Sequence, residues 1–431
     1  MPQTMCSLVV ILITVAIKST RVDSLDNGLC LTPPMGWLSW ERFGCNTKCN
    51  IHKDQCISEK LFTDMADRLV ADGYRDAGYD RVNIDDCWMS RNRAEDKQLL
   101  PDPHRFPNGI KYLSDYMHSR GLKLGIYQNY GLRTCMGYPG LIGFQAMDAK
   151  TFADWGVDMV KVDACFTPVH TLDKGFEDFS QTLNQTGRAM VYSCSWPYYQ
   201  LHTSQVIPNW NLIADKCNIW RTYHDIHTNW KDILATIDFV GDNQEIFNRN
   251  VGPGRFNDPD MLLIGNEGLT VDQSRVQMGI WSIIAAPLFM SNDLRHIGRE
   301  FKDILLNRAV IGVNQDRMAR PGVRVFHNET LDIWLRPILP ERKDTTGDQT
   351  SYAVAFVNRR TDSAISIGVR LQELGLKYKY LFRDLFDTEN NVWEPKAMTG
   401  TDEIHVTIPS TGIRLFKAEL DISSQSQDKQ L

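Results

Sequence analysis

Residues 122–163 read LKLGIYQNYGLRTCMGYPGLIGFQAMDAKTFADWGVDMVKVD. Two short apolar runs, Leu122 to Tyr127 and Met159 to Val162, enclose a helix-like stretch from Ala149 to Trp155, and the second run ends directly on Asp163. Strand, crossover helix and strand form the repeating unit of a parallel sheet. The alternation continues in both directions. Strand-like runs fall at Met35-Gly36-Trp37, Arg81 to Ile84, Met190 to Ser193, Asn218 to Trp220, Phe256-Asn257 and Leu288 to Met290. Helix-like stretches fall at Glu59 to Ala71 (with Leu61, Phe62, Met65, Leu69 and Val70 at helical spacing), Ile110 to Ser119, Thr228 to Val240 and Val271 to Ile284. Eight strands alternating with helices over about 290 residues is the pattern of a (β/α)8 TIM barrel of the α/β class. A doubly wound open sheet is the alternative, but no Gly-rich phosphate loop follows the first strand.

Beyond about Pro321 the texture changes. Val323 to Phe326, Leu331 to Leu335, Tyr352 to Val357, Ile365 to Val369 and Ile404 to Ile408 are β-rich and mostly alternate, with a turn cluster expected at Arg342 to Thr350. The expected organisation is a barrel over 25–320, an antiparallel β-sandwich over 321–420 and a polar tail over 421–431. At roughly 100–200 residues per domain, 431 residues suit that division.

The first 24 residues read as a signal peptide. Cys6 to Ile17 is a largely apolar run, too short to span a bilayer, and Val22 and Ser24 precede a cut ahead of Leu25. No other stretch is long and apolar enough for a span. Export gives the cysteines meaning. Of ten, Cys6 leaves with the signal; the nine that remain are odd in number, so at least one is unpaired or pairs between chains. Asn184 and Asn328 begin glycosylation sequons. The net charge is −6 and no Lys/Arg run occurs, which argues against nucleic-acid binding.

Chemistry in a barrel gathers at the carboxyl ends of the strands. Four candidate strands end in or near acids: Asp85-Asp86, Asp163, Asp225, and Asp258 with Asp260. Buried carboxylates need a partner or a purpose. Carboxylates with aromatics near strand ends (Trp37, Trp40, Trp88, Tyr127, Trp196, Trp220) are what a sugar pocket requires, although each ring serves equally well as core. Glycoside cleavage needs two carboxyl groups flanking the bond. Asp163 is the candidate nucleophile, with Lys161 two residues earlier on the same strand face to hold it ionised. Asp225 is its partner, in a loop with Arg221, His224 and His227. Asp85-Asp86-Cys87 and Asp258-Pro259-Asp260 offer oxygen ligands but no histidine at metal spacing, so no metal is expected. Ser195 lacks the Gly-x-Ser-x-Gly elbow, and the histidines form no evident triad.

Eight ordered segments resemble the eukaryotic α-galactosidase and α-N-acetylgalactosaminidase family, glycoside hydrolase family 27. They are Leu25 to Asn46, Ile84-Asp-Asp-Cys-Trp, Lys123-Leu-Gly-Ile-Tyr, Cys135-Met-Gly-Tyr-Pro-Gly, Lys161-Val-Asp-Ala-Cys, Tyr192-Ser-Cys-Ser-Trp-Pro, Trp220-Arg-Thr-Tyr-His-Asp-Ile and Asn257-Asp-Pro-Asp-Met. The resemblance runs from Leu25 to about Gln315, with a weaker match in the β-rich region. It implies a barrel followed by a β-sandwich, and hydrolysis of terminal α-linked galactose or N-acetylgalactosamine with retention. The substrates implied are glycolipids, glycoproteins or oligosaccharides. By the same resemblance Asp163 is the nucleophile and Asp225 the acid/base, while Trp40, Asp85, Asp86, Tyr127, Lys161, Arg221 and Asp260 match sugar-binding positions. It further implies the disulfides Cys45–Cys87, Cys49–Cys56, Cys135–Cys165 and Cys194–Cys217 with Cys30 free, no cofactor, a homodimer, and a lysosomal or secreted location.

The chain departs from the family pattern at Ala164, at Gln128-Asn129, and at His224 and His227 beside the acid/base. It also departs in the loop Ser195-Trp196-Pro197-Tyr198-Tyr199, expected against the sugar 2-position. Galactosidases resemble Glu-Trp-Pro-Leu-Tyr there, with Glu accepting from the 2-hydroxyl; N-acetylgalactosaminidases resemble Ser-Trp-Pro-Ala-Tyr, with room for an acetamide. Ser195 fits the second type, because a lost hydrogen bond to a buried hydroxyl is hard to replace. Tyr198 is bulky and fits it only if its rotamer turns aside. Two other classes are weighed: a lectin-like member, which would have lost a carboxylate at 163 or 225, and a metal-dependent barrel enzyme such as an aldolase, which needs ligands this chain does not cluster.

Overall fold

The computed structural model describes residues 27–203, 206–344, 347–386 and 396–421. The expected signal peptide and the tail from 422 onward lie outside the described residues. Eight parallel strands carry the N-terminal region: β1 Met35–Leu38, β2 Arg81–Asn83, β3 Lys123–Asn129, β4 Met159–Asp163, β5 Val191–Cys194, β6 Ile219–Arg221, β7 Phe256–Asp258 and β8 Leu288–Met290. They hydrogen-bond in the order β7-β6-β5-β4-β3-β2-β1-β8. Beyond a Pro259 turn the chain rejoins the sheet. Leu262 donates to Phe289 O at 2.8 Å and accepts from the Ser291 amide at 2.9 Å, closing β7 against β8. The strands are short and almost continuously buried, as expected when helices cover one face and packed side chains the other.

The longer helices that alternate with these strands or follow the last of them are α1 Glu59–Ala71, α2 Gly109–His118, α3 Gln145–Asp154, α4 Leu172–Gln185, α5 Trp196–Thr203, α6 Trp210–Lys216, α7 Trp230–Asp242, α8 Val271–Ile283, α9 Arg299–Leu305 and α10 Arg308–Asn314. Several start where capping chemistry dictates. Ser58 accepts from the Leu61 amide, Asn229 from that of Asp232, and Thr270 with Gln273 forms a reciprocal capping box. The stretch 195–199, read above as a loop, is helical from Trp196 onward. α4 was not anticipated, although Leu172, Phe176, Phe179 and Leu183 form its buried stripe.

A six-stranded antiparallel sheet and a two-stranded one follow. Their strands are β9 Val323–His327, β10 Leu331–Asp344, β11 Gly347–Asn358, β12 Ile365–Arg370, β13 Tyr380–Asp384, β14 Lys396–Met398, β15 Glu403–Ile408 and β16 Ile413–Leu420. The larger sheet runs β14-β13-β16-β11-β10-β9 and the smaller pairs β12 with β15. Ile404, Val406 and Ile408 of the small sheet share one core with Val354, Phe356, Phe382 and Phe416 of the large one, which makes a sandwich. The expected turn cluster at 342–350 is corrected. Those residues extend the β10–β11 hairpin until Asp344 pairs with Gly347, because the ladder already formed at Leu331↔Asn358 carries the polar residues with it.

α8 joins barrel to sandwich. It is buried nearly all round and packs on β10, β11 and β16. Arg336 on β10 is fully buried at this junction and pairs with no carboxylate among the described residues. Its Nη1 donates instead to the Ser282 and Asn314 carbonyls, in the last turns of α8 and α10. Two helix C-termini therefore supply the compensating negative potential.

Candidate active site

At the carboxyl ends of the strands lies a cavity of about 420 Å³. Its lining includes Trp40, Asp85, Tyr127, Lys161, Asp163, Ser195, Tyr198, Tyr199, Arg221, His224, Asp225 and His227. Five successive strands deliver groups to it. β2 runs into Asp85, β3 brings Tyr127, β4 brings Lys161 and Asp163 on one face, β5 runs into Ser195, and β6 brings Arg221 ahead of Asp225.

Two ionic pairs organise the floor. Lys161 Nζ stands 2.6 Å from Asp85 Oδ2, both buried. Burial alone would discharge the ammonium, but Asp85 and then Asp163 outweigh it and raise its pKa. The direct partner of Lys161 is thus Asp85 rather than Asp163, which corrects the expectation from strand spacing. Asp163 is held instead by the Tyr127 hydroxyl, which donates to Oδ2 at 2.8 Å.

The second pair is shared. Arg221 contacts Asp260 Oδ1 at 2.9 Å and Asp225 Oδ1 at 3.1 Å. Trp40 Nε1 also donates to Asp225 at 3.2 Å. Asp225 stands at the mouth with 52% of its side chain exposed. What burial it has pushes its carboxyl up, but Arg221 and Lys161 prevail and hold it below the ordinary carboxylate range. Asp260 is buried, and burial together with Asp225 and Asp258 pushes it to about 7 against the pull of Arg221.

Two expected sugar-binding positions stand behind the lining. Asp260, in a left-handed backbone conformation after Pro259, braces Arg221 and accepts from the Ile226 amide at 2.9 Å. Asp86 accepts from the amides of Cys87 and Met136 at 2.6 and 3.0 Å, and burial pushes it to about 6. It holds the β3–α3 loop in place. Of the aromatic candidates, Trp37, Trp88, Trp196 and Trp220 are fully buried core residues; Trp40 and Tyr127 line the cavity.

Disulfides join Cys45 to Cys87, Cys49 to Cys56, Cys135 to Cys165 and Cys194 to Cys217, and Cys30 is a free thiol. The Cys135–Cys165 bridge itself lines the cavity. Asn129, a departure from the family pattern, braces it: its Oδ1 accepts from the Cys165 amide at 2.8 Å and its Nδ2 donates to the Arg133 and Cys165 carbonyls. Sequence reasoning did not assign Asn129 this role, because its partners lie up to 36 residues away. Asp238, His327 and Asp332 also come together with donor atoms within 4.8 Å, among the described residues. Arg324 and Arg359 already pair with their carboxylates, so the trio is an ion-pair network between barrel and sandwich.

A barrel whose strand ends converge facing carboxylates, an ammonium, a guanidinium and an indole on one cavity defines a glycoside hydrolase. Comparisons narrow the class. The sequence profile of the alpha galactosidase A family (Melibiase_2) matches residues 32–316. The chain is 47% identical to alpha-N-acetylgalactosaminidase of Gallus gallus over 353 residues, 81% of this chain and 85% of that protein. It is likewise 47% identical to alpha-galactosidase A of Homo sapiens over 338 residues, 78% of this chain and 76% of that one. The crystal structure of alpha-galactosidase I from Mortierella vinacea superposes with a TM-score of 0.76 at 28% identity, covering 91% of this chain and 98% of that one. The chain belongs to the alpha galactosidase A family, glycoside hydrolase family 27.

Proposed function

We propose that this enzyme removes terminal α-linked N-acetylgalactosamine or galactose from glycoconjugates by double displacement, with Asp163 as nucleophile and Asp225 as acid/base. The observation that carries this reading is that both carboxyl groups line one cavity, each with its own partner: Tyr127 on Asp163, Arg221 and Trp40 on Asp225. Asp163 attacks the anomeric carbon while Asp225 protonates the departing oxygen; Asp225 then deprotonates the water that releases the sugar. In the free enzyme Arg221 keeps Asp225 ionised. A bound substrate covers the half-exposed carboxyl, and that desolvation favours the protonated acid.

Trp40, Asp85, Asp86, Tyr127, Lys161, Ser195, Tyr198, Tyr199, Arg221 and Asp260 are read as the sugar-binding set, with Asp86 and Asp260 acting from behind the lining. Small, buried Ser195 supports N-acetylgalactosamine as the preferred sugar. One observation favours plain galactose: the Tyr198 hydroxyl shares a 3.0 Å hydrogen bond with His224, and its ring packs against Tyr199 and His202, so it is not free to turn aside. The relatives at equal identity carry both names and do not decide between them. Four disulfides and the exposed sequon residues Asn184 and Asn328 support a lysosomal or secreted location, and the homodimer rests on the family resemblance alone.

Chromogenic α-galactoside and α-N-acetylgalactosaminide, assayed in parallel, test the sugar; cleavage of neither sinks the enzyme reading. Asp163→Asn is expected to lower kcat/KM by on the order of 10³-fold or more with unchanged circular dichroism. Near-normal turnover in that variant overturns the nucleophile assignment.

A further inference from the structure

Asp225 sits on the segment 222–229 between β6 and α7, which has no regular secondary structure. A general acid has to present its proton to one oxygen, and a loop does not fix a side chain as a strand does. The segment is tied at its two flanks. Thr222 Oγ1 donates to Asn257 at 3.0 Å on one side; on the other, the Ile226 amide donates to Asp260 at 2.9 Å and Thr228 to Glu41 at 2.9 Å. Asp225 stands between these ties, immediately after His224.

His224 is an exposed residue of the loop, yet its ring is engaged. The Tyr198 hydroxyl and His224 Nδ1 share a hydrogen bond of 3.0 Å. Its ring centroid lies 4.5 Å from that of His202 and 5.0 Å from that of Tyr223. Tyr198 and His202 are one turn apart on α5, and His202 Nε2 meets the Thr222 carbonyl at 2.9 Å. The helix α5 therefore grips the loop at 222 and again at 224. Burial and His202 hold His224 below the ordinary imidazole range, which keeps it neutral and able to accept from the tyrosine. Both Tyr198 and His224 line the cavity, so the bond joins the cavity wall to the residue beside the acid.

We propose that His224 is a positioning residue for Asp225: bonded to Tyr198, it latches the loop onto α5 and sets where the carboxyl stands over the cavity. This rests on the acid/base role proposed above. A catalytic group displaced by about 1 Å can lose two orders of magnitude in rate, whereas sugar contacts on the opposite wall are untouched.

The test compares kcat/KM for a 2,4-dinitrophenyl α-glycoside, whose leaving group departs without a proton, with that for an alkyl α-glycoside, which needs one. Because kcat/KM reports the first irreversible step, the alkyl-to-dinitrophenyl ratio measures acid assistance and cancels a general loss from the cavity wall. His224→Ala and Tyr198→Phe are each expected to lower the ratio by roughly fivefold or more. The double variant should fall no further than the deeper single one. An unchanged ratio, an equal loss on both substrates, or losses that multiply in the double variant overturn the latch. Asp225→Ala is the control: if it keeps the wild-type ratio, the acid/base assignment falls and the latch with it, whereas a lowered ratio there beside an unchanged His224→Ala ratio overturns the latch alone.

Discussion

At the scale of single residues, Tyr127 is the group whose contribution is easiest to isolate. Its hydroxyl donates to Asp163 Oδ2 at 2.8 Å, and the ring is buried. A hydrogen bond to a charged group contributes about 2 kcal/mol. If it persists as Asp163 attacks, Tyr127→Phe is expected to lower kcat/KM roughly thirtyfold, with little change in melting temperature; an unaltered kcat/KM would place Tyr127 outside the nucleophile's support. The contact also shows where reading the chain stops. Asp163 could be picked out because a strand ends on it, and Lys161 because strand side chains recur every second residue. That the ammonium goes to Asp85, 76 residues away, and the hydroxyl to Asp163 are consequences of closing the barrel, which no local pattern encodes. The same holds for the tryptophans. Trp37, Trp88, Trp196 and Trp220 stand as near strand ends as Trp40, and only packing separates core from cavity.

At the scale of elements, α1 and α8 were legible because periodic apolar residues stand between capping residues. α5 was not, since Trp196-Pro197-Tyr198-Tyr199 has no helical stripe and is ordered by the cavity and the loop it packs against. β13, β14 and β16, which complete the large sheet, fall outside the β-rich runs read from the sequence, as α4 falls outside its helix-like stretches. In α4 the glycine has a measurable purpose. A Cβ on Gly175 would lie 2.0 Å from Cζ and 2.1 Å from Cε1 of the Tyr130 ring. Gly175→Ala gains up to about 1 kcal/mol in helix propensity. A rigid ring cannot give way without moving the β3–α3 loop, and overpacking costs about 1–3 kcal/mol. The variant is therefore expected to melt lower than wild type, and Tyr130→Ala in the same background should recover part of the loss. A higher melting temperature in Gly175→Ala would show that the ring moves freely.

Across the whole molecule, the strand ends have collected more carboxyl groups than cations, and pH-dependent stability follows from that excess. Burial raises Asp86 to about 6 and Asp260 to about 7, from 3.8. A group raised in the folded state keeps its proton there while the unfolded chain releases it. Between about pH 4 and 7 the unfolded state therefore binds fewer protons, and stability falls as pH rises through that window. Asp80 and Asp293 have the opposite sign. Burial opposes them, but Arg81 lowers the first and Arg295 the second, so their contribution is present above about pH 4 and is lost as pH falls further. The two trends leave a maximum on the acid side of neutrality. Thermal melts at constant ionic strength should give a transition at least a few degrees higher at pH 5 than at pH 7.5, and lower again at pH 3. A transition that rises steadily from pH 5 to 7.5 would mean that Asp86 and Asp260 are ionised in the folded enzyme, with Arg221 and the amides around Asp86 outweighing the cost of burying them.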